Sequence, residues 1–292
     1  MSLHISTSGI IDDDDIRSAK APFTELLWLI DLGAGRFAAT IDPIWTIGTK
    51  VHGGCLIALC SAAAQRCLGS ALMPVAVSAS YLHALDPGEA LLQTTIRRSG
   101  RSVNLVEVEL SQNGTVAVIC SVTLGSLDTT GPHHREPLPL DDMAIEPSPG
   151  AIQPTPDHPL GKVLNISRGF EMRIDPTTAG FLEGLQGTPQ TRMWLRPFAG
   201  DESEANTAAL FAIMAGDVVP PVIMHRGLFG WAPTVQLTVY LRRRPTAGWL
   251  RVLASSTVVG ETWFEEDHLI LDAEGHVVAQ SRQLAMPPRP LR

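Results

Sequence analysis

The sequence predicts an α+β protein in which one structural unit occurs twice. Each copy should hold a long apolar helix with an antiparallel sheet of consecutive strands wrapped around it. Three observations predict this arrangement: an internal repeat with an offset near 160 residues, an apolar helix at 53–68 without Asp or Glu, and Asn113-Gly114 between two alternating runs. Asn-Gly in that setting indicates a hairpin, and a helix that is apolar nearly all round is typical of an enclosed one.

The repeat is visible as matching residues at nearly constant spacing. Four pairs lie 159 to 161 positions apart, namely Pro74 and Pro233, Tyr81 and Tyr240, Gly100 and Gly260, and Gly114 and Gly275. The tyrosines in these pairs are the only two in the chain. A drift of two residues over about forty indicates one duplicated unit.

The predicted elements follow the same order in both copies. We expect helices at 53–68 and at about 202–216. The predicted strands are 35–45, 75–83, 89–98, 103–111 and 115–124 in the first copy, and 169–175, 234–242, 248–258, 262–271 and 276–285 in the second. Nine or ten strands paired into one continuous sheet would hide the strand edges.

A proline-rich segment separates the copies. Residues 126–160 hold 8 of the 22 prolines, a density that excludes a helix or a central strand and indicates an extended linker. The expected organisation is an acidic tail at 1–21, a first domain at 22–125, the linker at 126–164, a second domain at 165–287 and a tail at 288–292. The linker histidines should be solvated, since a flexible segment is a poor cage for a metal.

The composition excludes several functions. The 292 residues are 45% hydrophobic and carry a formal charge of −8 without a basic stripe, which argues against a nucleic-acid partner. The cluster Arg242–Arg244 suits the solvated end of a strand better than a phosphate site. The apolar run 56–64 is too short to span a membrane, and the acidic N-terminus lacks a secretory signal, so we expect a cytoplasmic protein. The four cysteines form no CxxC pair, so no metal site is expected.

The order of the elements, together with four motifs, resembles the hotdog fold in its tandem form. The motifs are VHGG at the first helix, RSGRSV, PTVQLTVYLRRRP and GHVVAQSRQLAM. Over about 22–125 and 165–287 the chain resembles the double-hotdog acyl-CoA thioesterases of the thioesterase II (TesB-like) family. The resemblance implies two antiparallel sheets, each wrapped around a central helix, and hydrolysis of an acyl-CoA substrate. It implies no cofactor beyond the coenzyme A of that substrate.

The resemblance also implies a catalytic set that holds a water molecule. Its members are an Asp on the second helix, a Ser or Thr that opens the following strand, and a Gln in the last strand. The matching positions here are Asp217, Thr234 and Gln283. Family members often carry Asp-His two and three residues after the Ser or Thr, where this chain has Gln236 and Leu237, and the loop between Asp217 and Thr234 is short. Both departures put the substrate range in question.

The repeat supports the same three residues without reference to any family. Thr234 aligns with Val75, Gln283 with Val122, and Asp217 with about Ala62. In each pair the first copy is apolar and the second is polar. Because a buried polar group without a partner costs about 1–3 kcal/mol, three such replacements in one copy indicate a site.

The start of the first helix, His52-Gly53-Gly54, has two interpretations. Its glycine N–H groups face a thioester carbonyl or a phosphate, which helix N-termini favour, or the segment only starts the helix. A hotdog dehydratase would need a His paired with an acid on the partner helix, and because 53–68 contains no Asp or Glu we expect no such pair. Cys55 is the one candidate thiol nucleophile, and a buried, inert thiol is the simpler interpretation.

Gly100 and Arg101 lie in a predicted hairpin turn. Arg101 either meets a phosphate of coenzyme A, which its planar fork suits, or it is a solvated turn residue.

Three functions follow from these patterns. The first is an acyl-CoA thioesterase, the second a non-catalytic acyl-CoA-binding module, and the third a CoA-dependent hydratase, which the missing His–acid pair disfavours. We also expect a homodimer or higher homo-oligomer, because hotdog relatives usually associate and because Val239 and Leu241 should lie on the outer face of the sheet.

Overall fold

The computed structural model describes residues 20–69 and 71–288. The first half contains α1 (Pro22–Leu26), β1 (Ile30–Gly33), β2 (Arg36–Ile41), β3 (Thr46–Ile47), β4 (Lys50–Val51), α2 (Gly53–Leu68), β5 (Met73–Tyr81), β6 (Gly88–Arg98), β7 (Asn104–Gln112) and β8 (Thr115–Gly125). The second half contains β9 (Glu171–Ile174), β10 (Gln190–Arg196), α3 (Ala199–Glu202), α4 (Ala205–Met214), β11 (Thr234–Leu241), β12 (Leu250–Ser255), β13 (Phe264–Leu271) and β14 (Val277–Ala285). Most of the predicted tails, 1–21 and 288–292, lies outside the described residues.

The two halves share one antiparallel sheet. Within the described residues it has twelve strands in the order β1-β2-β6-β7-β8-β5-β11-β14-β13-β12-β10-β9. The halves meet where β5 pairs with β11, with Ser78 opposite Thr238 and their hydroxyls 3.0 Å apart. The predicted tandem hotdog fold is confirmed, with the two wrapped sheets joined edge to edge into one.

The helices α2 and α4 form the centre of the core. Both helices consist mainly of small and apolar side chains, which lets the helices pack against each other and against the inner face of the sheet. The stretch Ala205–Arg226 is apolar enough to cross a membrane, with a mean hydropathy of 1.7, but 83% of that stretch's most apolar window is buried inside the protein. Such a buried stretch is what the core of a double hotdog requires.

One predicted strand has a different place from the one expected. The segment 169–175 was matched to 35–45, but β9 within it lies at the edge of the sheet and pairs with β10. The true counterpart of β2 is β10, since β2 pairs with β6 and β10 pairs with the equivalent strand β12. The prediction was wrong because β10, whose sequence is QTRMWLR, alternates less clearly than EMRI does.

The offset of 159 is also wrong in the strand that joins the halves. Tyr81 belongs to the inner side and donates to the Gly53 carbonyl at 3.0 Å, whereas Tyr240 lies on the outer face and is 51% exposed. Ser78 lies opposite Ser121, and Thr238 lies opposite Arg282, which is 161 positions after Ser121 and so its counterpart, and this sets the offset between β5 and β11 at 160. A shift of one residue reverses the face of every side chain in a strand, so the structural counterpart of Thr234 is Pro74.

The faces of β11 also remove one argument for the predicted homo-oligomer. Val239 and Leu241 are 0% and 3% exposed and belong to the core. The outer face of β11 carries Gln236, Thr238 and Tyr240 instead. The predicted homo-oligomer stays a prediction without this support.

The proline-rich segment packs against the second half. Leu140 and Met143 are buried with Trp194 and Trp249, and the Trp194 indole donates to the Ala144 carbonyl at 2.8 Å. The described part of 126–164 contains no α-helix, and a single bridge, Ile152 to Ile174, ties it to the large sheet. The prolines thus exclude regular structure without leaving the segment free.

Candidate active site

A cavity of about 940 Å³ opens between the two halves. Its walls come from the end of β5, the start of α2, the turn after α4, and the start of β11, with linker residues at one side. Among the polar residues that line it are His52, Tyr81, Asp217, Thr234 and Gln283. The remaining lining is mainly apolar, as expected for a pocket that receives an apolar ligand.

Asp217 lies in the short 3₁₀ turn that follows α4, and its carboxylate faces the N-terminus of α2. The Gly54 N–H faces it and lowers the pKa of the carboxyl. A Cβ added to Gly53 would stand 2.7 Å from Oδ2, so a larger residue at this position would displace the carboxylate from the helix. The side chain is only 7% exposed.

Burial controls the proton affinity of this carboxyl. Loss of water around the Asp217 carboxylate raises its pKa above the ordinary range, while the positive charge of His52 and then of His268 opposes the rise and the charge of Glu266 adds to it. A carboxylate with a raised pKa is a stronger base than a solvated one, which suits proton abstraction from water.

Thr234 and Gln283 form a hydrogen-bonded pair on neighbouring strands. The Thr234 hydroxyl donates to Gln283 Oε1 at 2.6 Å. A bulge between Thr234 and Gln236 brings the first residue of β11 beside β14. This bond leaves the Gln283 amide group as a donor and the Thr234 oxygen as an acceptor, so the pair is able to orient one water from two sides.

The expectation that His52 has no acidic partner is wrong. His52 Nε2 lies 2.9 Å from the Asp217 carbonyl oxygen and 3.5 Å from Asp217 Oδ2. Since a carbonyl only accepts, Nε2 carries the proton in this arrangement. Helix 53–68 contains no acid; the acid that His52 contacts lies in the turn after α4 and is itself one of the predicted catalytic residues.

The other predicted binding residues are divided between the site and the far end of the sheet. Gly53 lines the cavity, and Gly54 lies beneath it, where an added Cβ would clash with the His52 ring at 2.8 Å. Gly100 and Arg101 do not line the cavity; their turn is held by Asn104, whose side chain accepts from the Gly100 N–H at 3.0 Å. Asn104 pairs with Leu124 and so lies beside the start of β5, whereas the cavity lies at its end.

Cys55 is not placed for nucleophilic chemistry. It is fully buried, 3.9 Å from His52 Nδ1 and 3.7 Å from the Met214 sulfur. Burial, with the nearby charge of Asp217, raises the pKa of the thiol well above its usual range. The group therefore stays a thiol at neutral pH.

Two functional candidates escaped the sequence analysis, Glu266 and His268 on β13. Their side chains are 0% exposed, and Glu266 Oε1 lies 3.2 Å from His268 Nε2. The repeat contained the signal, because the equivalent residues at offset 160 are Val106 and Val108, both in the core. The same comparison that selected Gln283 selects them once the strands are aligned. The third comparison fails, since Ala62 is in the middle of α2 and Asp217 lies beyond the end of α4.

Comparison with known proteins agrees with this architecture. Residues 41–125 match the profile of the acyl-CoA thioesterase N-terminal domain, and residues 147–286 match that of the acyl-CoA thioesterase C-terminal domain. Uncharacterized proteins of Mycobacterium tuberculosis and Mycobacterium bovis are each 40% identical over 273 residues, which cover 86% of this chain and 91% of theirs.

Solved structures share the fold over nearly the whole length. A protein of Thermobifida fusca assigned as a thioesterase II superposes with a TM-score of 0.81 and 28% identity, covering 92% of this chain and 100% of its own. The acyl-CoA thioesterase II TesB2 of Mycobacterium marinum superposes with a TM-score of 0.69 and 15% identity, covering 92% and 98%. The chain therefore belongs to the acyl-CoA thioesterase family, in its double-hotdog, TesB-like form.

Proposed function

We propose that this protein hydrolyses the thioester bond of an acyl-CoA by direct attack of water. The observation that carries the proposal is the placement of the Asp217 carboxylate and the Thr234–Gln283 pair on the wall of one largely apolar cavity. A base, two water-orienting groups and an apolar acyl-binding space are the parts that such a hydrolysis needs.

In the proposed reaction Asp217 removes a proton from the bound water. The hydroxide formed attacks the thioester carbonyl carbon, and the tetrahedral intermediate collapses as the carbon–sulfur bond breaks. The proton held by Asp217 returns to the departing sulfur, so the products are a carboxylic acid and the coenzyme A thiol. A thiol with a pKa near ~8.5 leaves readily, so little acid assistance is needed.

The cavity lining indicates how the substrate would lie. It contains no Lys or Arg among the described residues, so it suits the acyl and pantetheine parts and not the phosphates. Phe229 and Trp231 line the cavity and are 54% and 53% exposed, which places aromatic surface at its mouth. An apolar acyl group that extends to the mouth would cover this surface.

A panel of acyl-CoA substrates of increasing chain length tests the proposal. The free coenzyme A thiol released per unit time is measured for each, with the Asp217→Asn variant as the matched control. Turnover by the wild-type protein, lost in the variant, is the expected result. Tight binding without turnover across the panel would instead favour the non-catalytic acyl-CoA-binding module.

A second candidate function rests on one specific observation, the contact of His52 with Asp217. A His and an acid contributed by two different helices are the groups that a hydratase uses to move a proton and add water across a double bond. The hydratase function is tested by the hydration of crotonyl-CoA, measured as the loss of the enoyl absorbance. We rank it second because Thr234 and Gln283, which line the same cavity, have no role in it.

A further inference from the structure

The inner face of β13 carries a charged pair that the proposed reaction does not use. Glu266 and His268 are two residues apart, face the core, and have side chains that are 0% exposed. Their contact of 3.2 Å is not aligned as a hydrogen bond, and neither ring nitrogen of His268 has a hydrogen-bond partner among the described residues. A Glu is almost never fully buried unless it is paired, and this pair is made without an aligned hydrogen bond.

The second oxygen of Glu266 holds the chain next to Asp217. Glu266 Oε2 accepts a hydrogen bond from the Val222 N–H at 3.0 Å, five residues after Asp217. On the other side the Ser281 hydroxyl donates to the Gly216 carbonyl at 2.6 Å. The turn that carries Asp217 is thus tied to β14 at Gly216, and the segment that follows it is tied to β13 at Val222, where the next 3₁₀ turn begins.

The fold itself does not need this pair. The first half has the same strand with Val106 and Val108 at the equivalent positions, and both are 0% exposed. Replacing a buried ion pair by apolar residues is often neutral or stabilising. A buried pair kept in one half, beside the proposed catalytic carboxylate, therefore points to the reaction and not to the core.

We propose that Glu266 and His268 are positioning residues of the active site: Glu266 anchors the segment that follows Asp217 through the Val222 N–H, and His268, 3.2 Å from the Glu266 carboxylate, limits where that carboxylate can lie. This inference rests on the proposed thioester hydrolysis. It assigns the pair no contact with the substrate.

The pair also belongs to the charges around Asp217. The groups that face this carboxyl are His52, the Gly54 N–H and Cys55 at α2, Tyr81 on β5, and Glu266 and His268 on β13. Among them Glu266 raises the pKa of Asp217 and His268 lowers it. Removal of the Glu266 charge therefore lowers the pKa of Asp217, an effect that a purely structural residue would not produce.

The decisive variant removes both groups without opening the core. Glu266→Met together with His268→Leu should keep or raise Tm and should lower kcat roughly 10- to 100-fold with KM unchanged, because a displaced base acts in the transition state. Asp267→Asn, on the outer face of the same strand, is the matched control and should retain wild-type kcat. A double variant that folds and keeps wild-type kcat overturns the proposal.

A single variant separates the hydrogen bond from the charge. Glu266→Gln keeps an oxygen that accepts the Val222 N–H, so its kcat should exceed that of the double variant. The acid limb of its kcat/KM profile should move to lower pH. A Gln variant as impaired as the double variant would show that the bond to Val222 is not what positions Asp217.

One measurement needs no turnover and so separates this inference from the proposed function. The ¹³C carboxyl resonance of Asp217, identified by its loss in Asp217→Asn, is titrated in the wild-type protein and in Glu266→Gln. A lower Asp217 pKa in the variant is expected. Because Glu266→Gln keeps the bond to Val222, the same resonance is also followed in Glu266→Leu, which removes both the bond and the charge. A carboxyl resonance that keeps its wild-type chemical shift and pKa in Glu266→Leu overturns the inference even if the wild-type protein hydrolyses acyl-CoA.

Discussion

The two halves of the molecule share a strand pattern but differ in what their inner faces carry. Around the sheet junction the first half has Pro74, Val106, Val108 and Val122, and the second half has Thr234, Glu266, His268 and Gln283. The central helices differ as well, since α2 has 16 residues and α4 has 10. The shorter helix ends in the turn that carries Asp217, and the loop 218–233 after it forms part of the cavity wall.

The four positions contribute to stability in the first half and to the candidate site in the second. In the first half Val106, Val108 and Val122 belong to the apolar core, Pro74 is buried, and all four contribute burial. In the second half the same positions carry groups whose burial opposes folding unless they are paired. The duplicated fold thus keeps these sheet positions apolar in the first half and replaces them with polar groups in the second, while both halves line the cavity.

The largest expected effect comes from Asp217→Asn, which removes the proposed general base without changing the size of the side chain. If the carboxylate is the base, hydrolysis falls ~10²–10⁴-fold. The measurement is thiol release on the best acyl-CoA of the panel, with Asp267→Asn as the control. Full activity in Asp217→Asn would remove the catalytic assignment and favour the acyl-CoA-binding module.

The same variant has a consequence for stability with a definite sign. Burial raises the pKa of Asp217, so the folded state binds this proton more tightly than the unfolded state does. The contribution to stability is present below the unfolded pKa and is lost as the pH rises through the folded pKa. Asp217→Asn should therefore raise Tm relative to wild type at neutral pH and have little effect at low pH, as followed by thermal unfolding at several pH values.

The repeat explains how much of the site the sequence could reveal. Gln283 against Val122 is a correct comparison, and it was found because Gly114 and Gly275 align β8 and β14 without ambiguity. Thr234 was compared with Val75 instead of Pro74, because the matching prolines and tyrosines of the two runs favoured an offset one residue too short. Only strand pairing resolves that shift, and pairing is a property of the folded sheet.

The contact of His52 with Asp217 was beyond a sequence argument for another reason. The two residues are 165 positions apart and come from helices of different halves. Each was recognised alone, but their distance depends on how α2 and α4 pack. Packing of two apolar helices is set by the shape of side chains around them, which composition and periodicity do not specify.

A smaller effect is expected when either residue of the water-orienting pair is replaced by an apolar one. Thr234→Val or Gln283→Ala each removes the 2.6 Å bond and should lower kcat by up to about tenfold, since one hydrogen bond contributes roughly 0.5–1.5 kcal/mol. The double variant should lose less than the product of the single losses, because the two residues act as a unit. Fully multiplicative losses in the cycle would show that they act separately.

A shift in pH dependence, not a loss of rate, is expected for His52→Gln. The charge of His52 lowers the pKa of Asp217, so its removal raises that pKa, and the acid limb of kcat/KM moves to higher pH. Thioester hydrolysis above the limb should persist, whereas a hydratase would lose all activity with its imidazole. A pH–rate profile on the best substrate, with crotonyl-CoA hydration in parallel, distinguishes the two, and complete loss of hydrolysis at every pH would contradict the assignment of Asp217 as sole base.

The smallest effect is expected at the first-half end of the sheet, with Arg101→Ala. The turn of Arg101 lies beside the start of β5, and the nine residues of that strand span ~30 Å before the cavity at its other end. An Arg side chain is far too short to cross that distance, so kcat and KM for the best acyl-CoA should match wild type. Steady-state kinetics at low ionic strength give the most sensitive comparison, because any contact with a phosphate would be least screened there. A raised KM with unchanged kcat would mean that the nucleotide end of the substrate reaches the first half, either along this chain or in a second copy. The difference between the halves would then concern the catalytic step and not substrate binding.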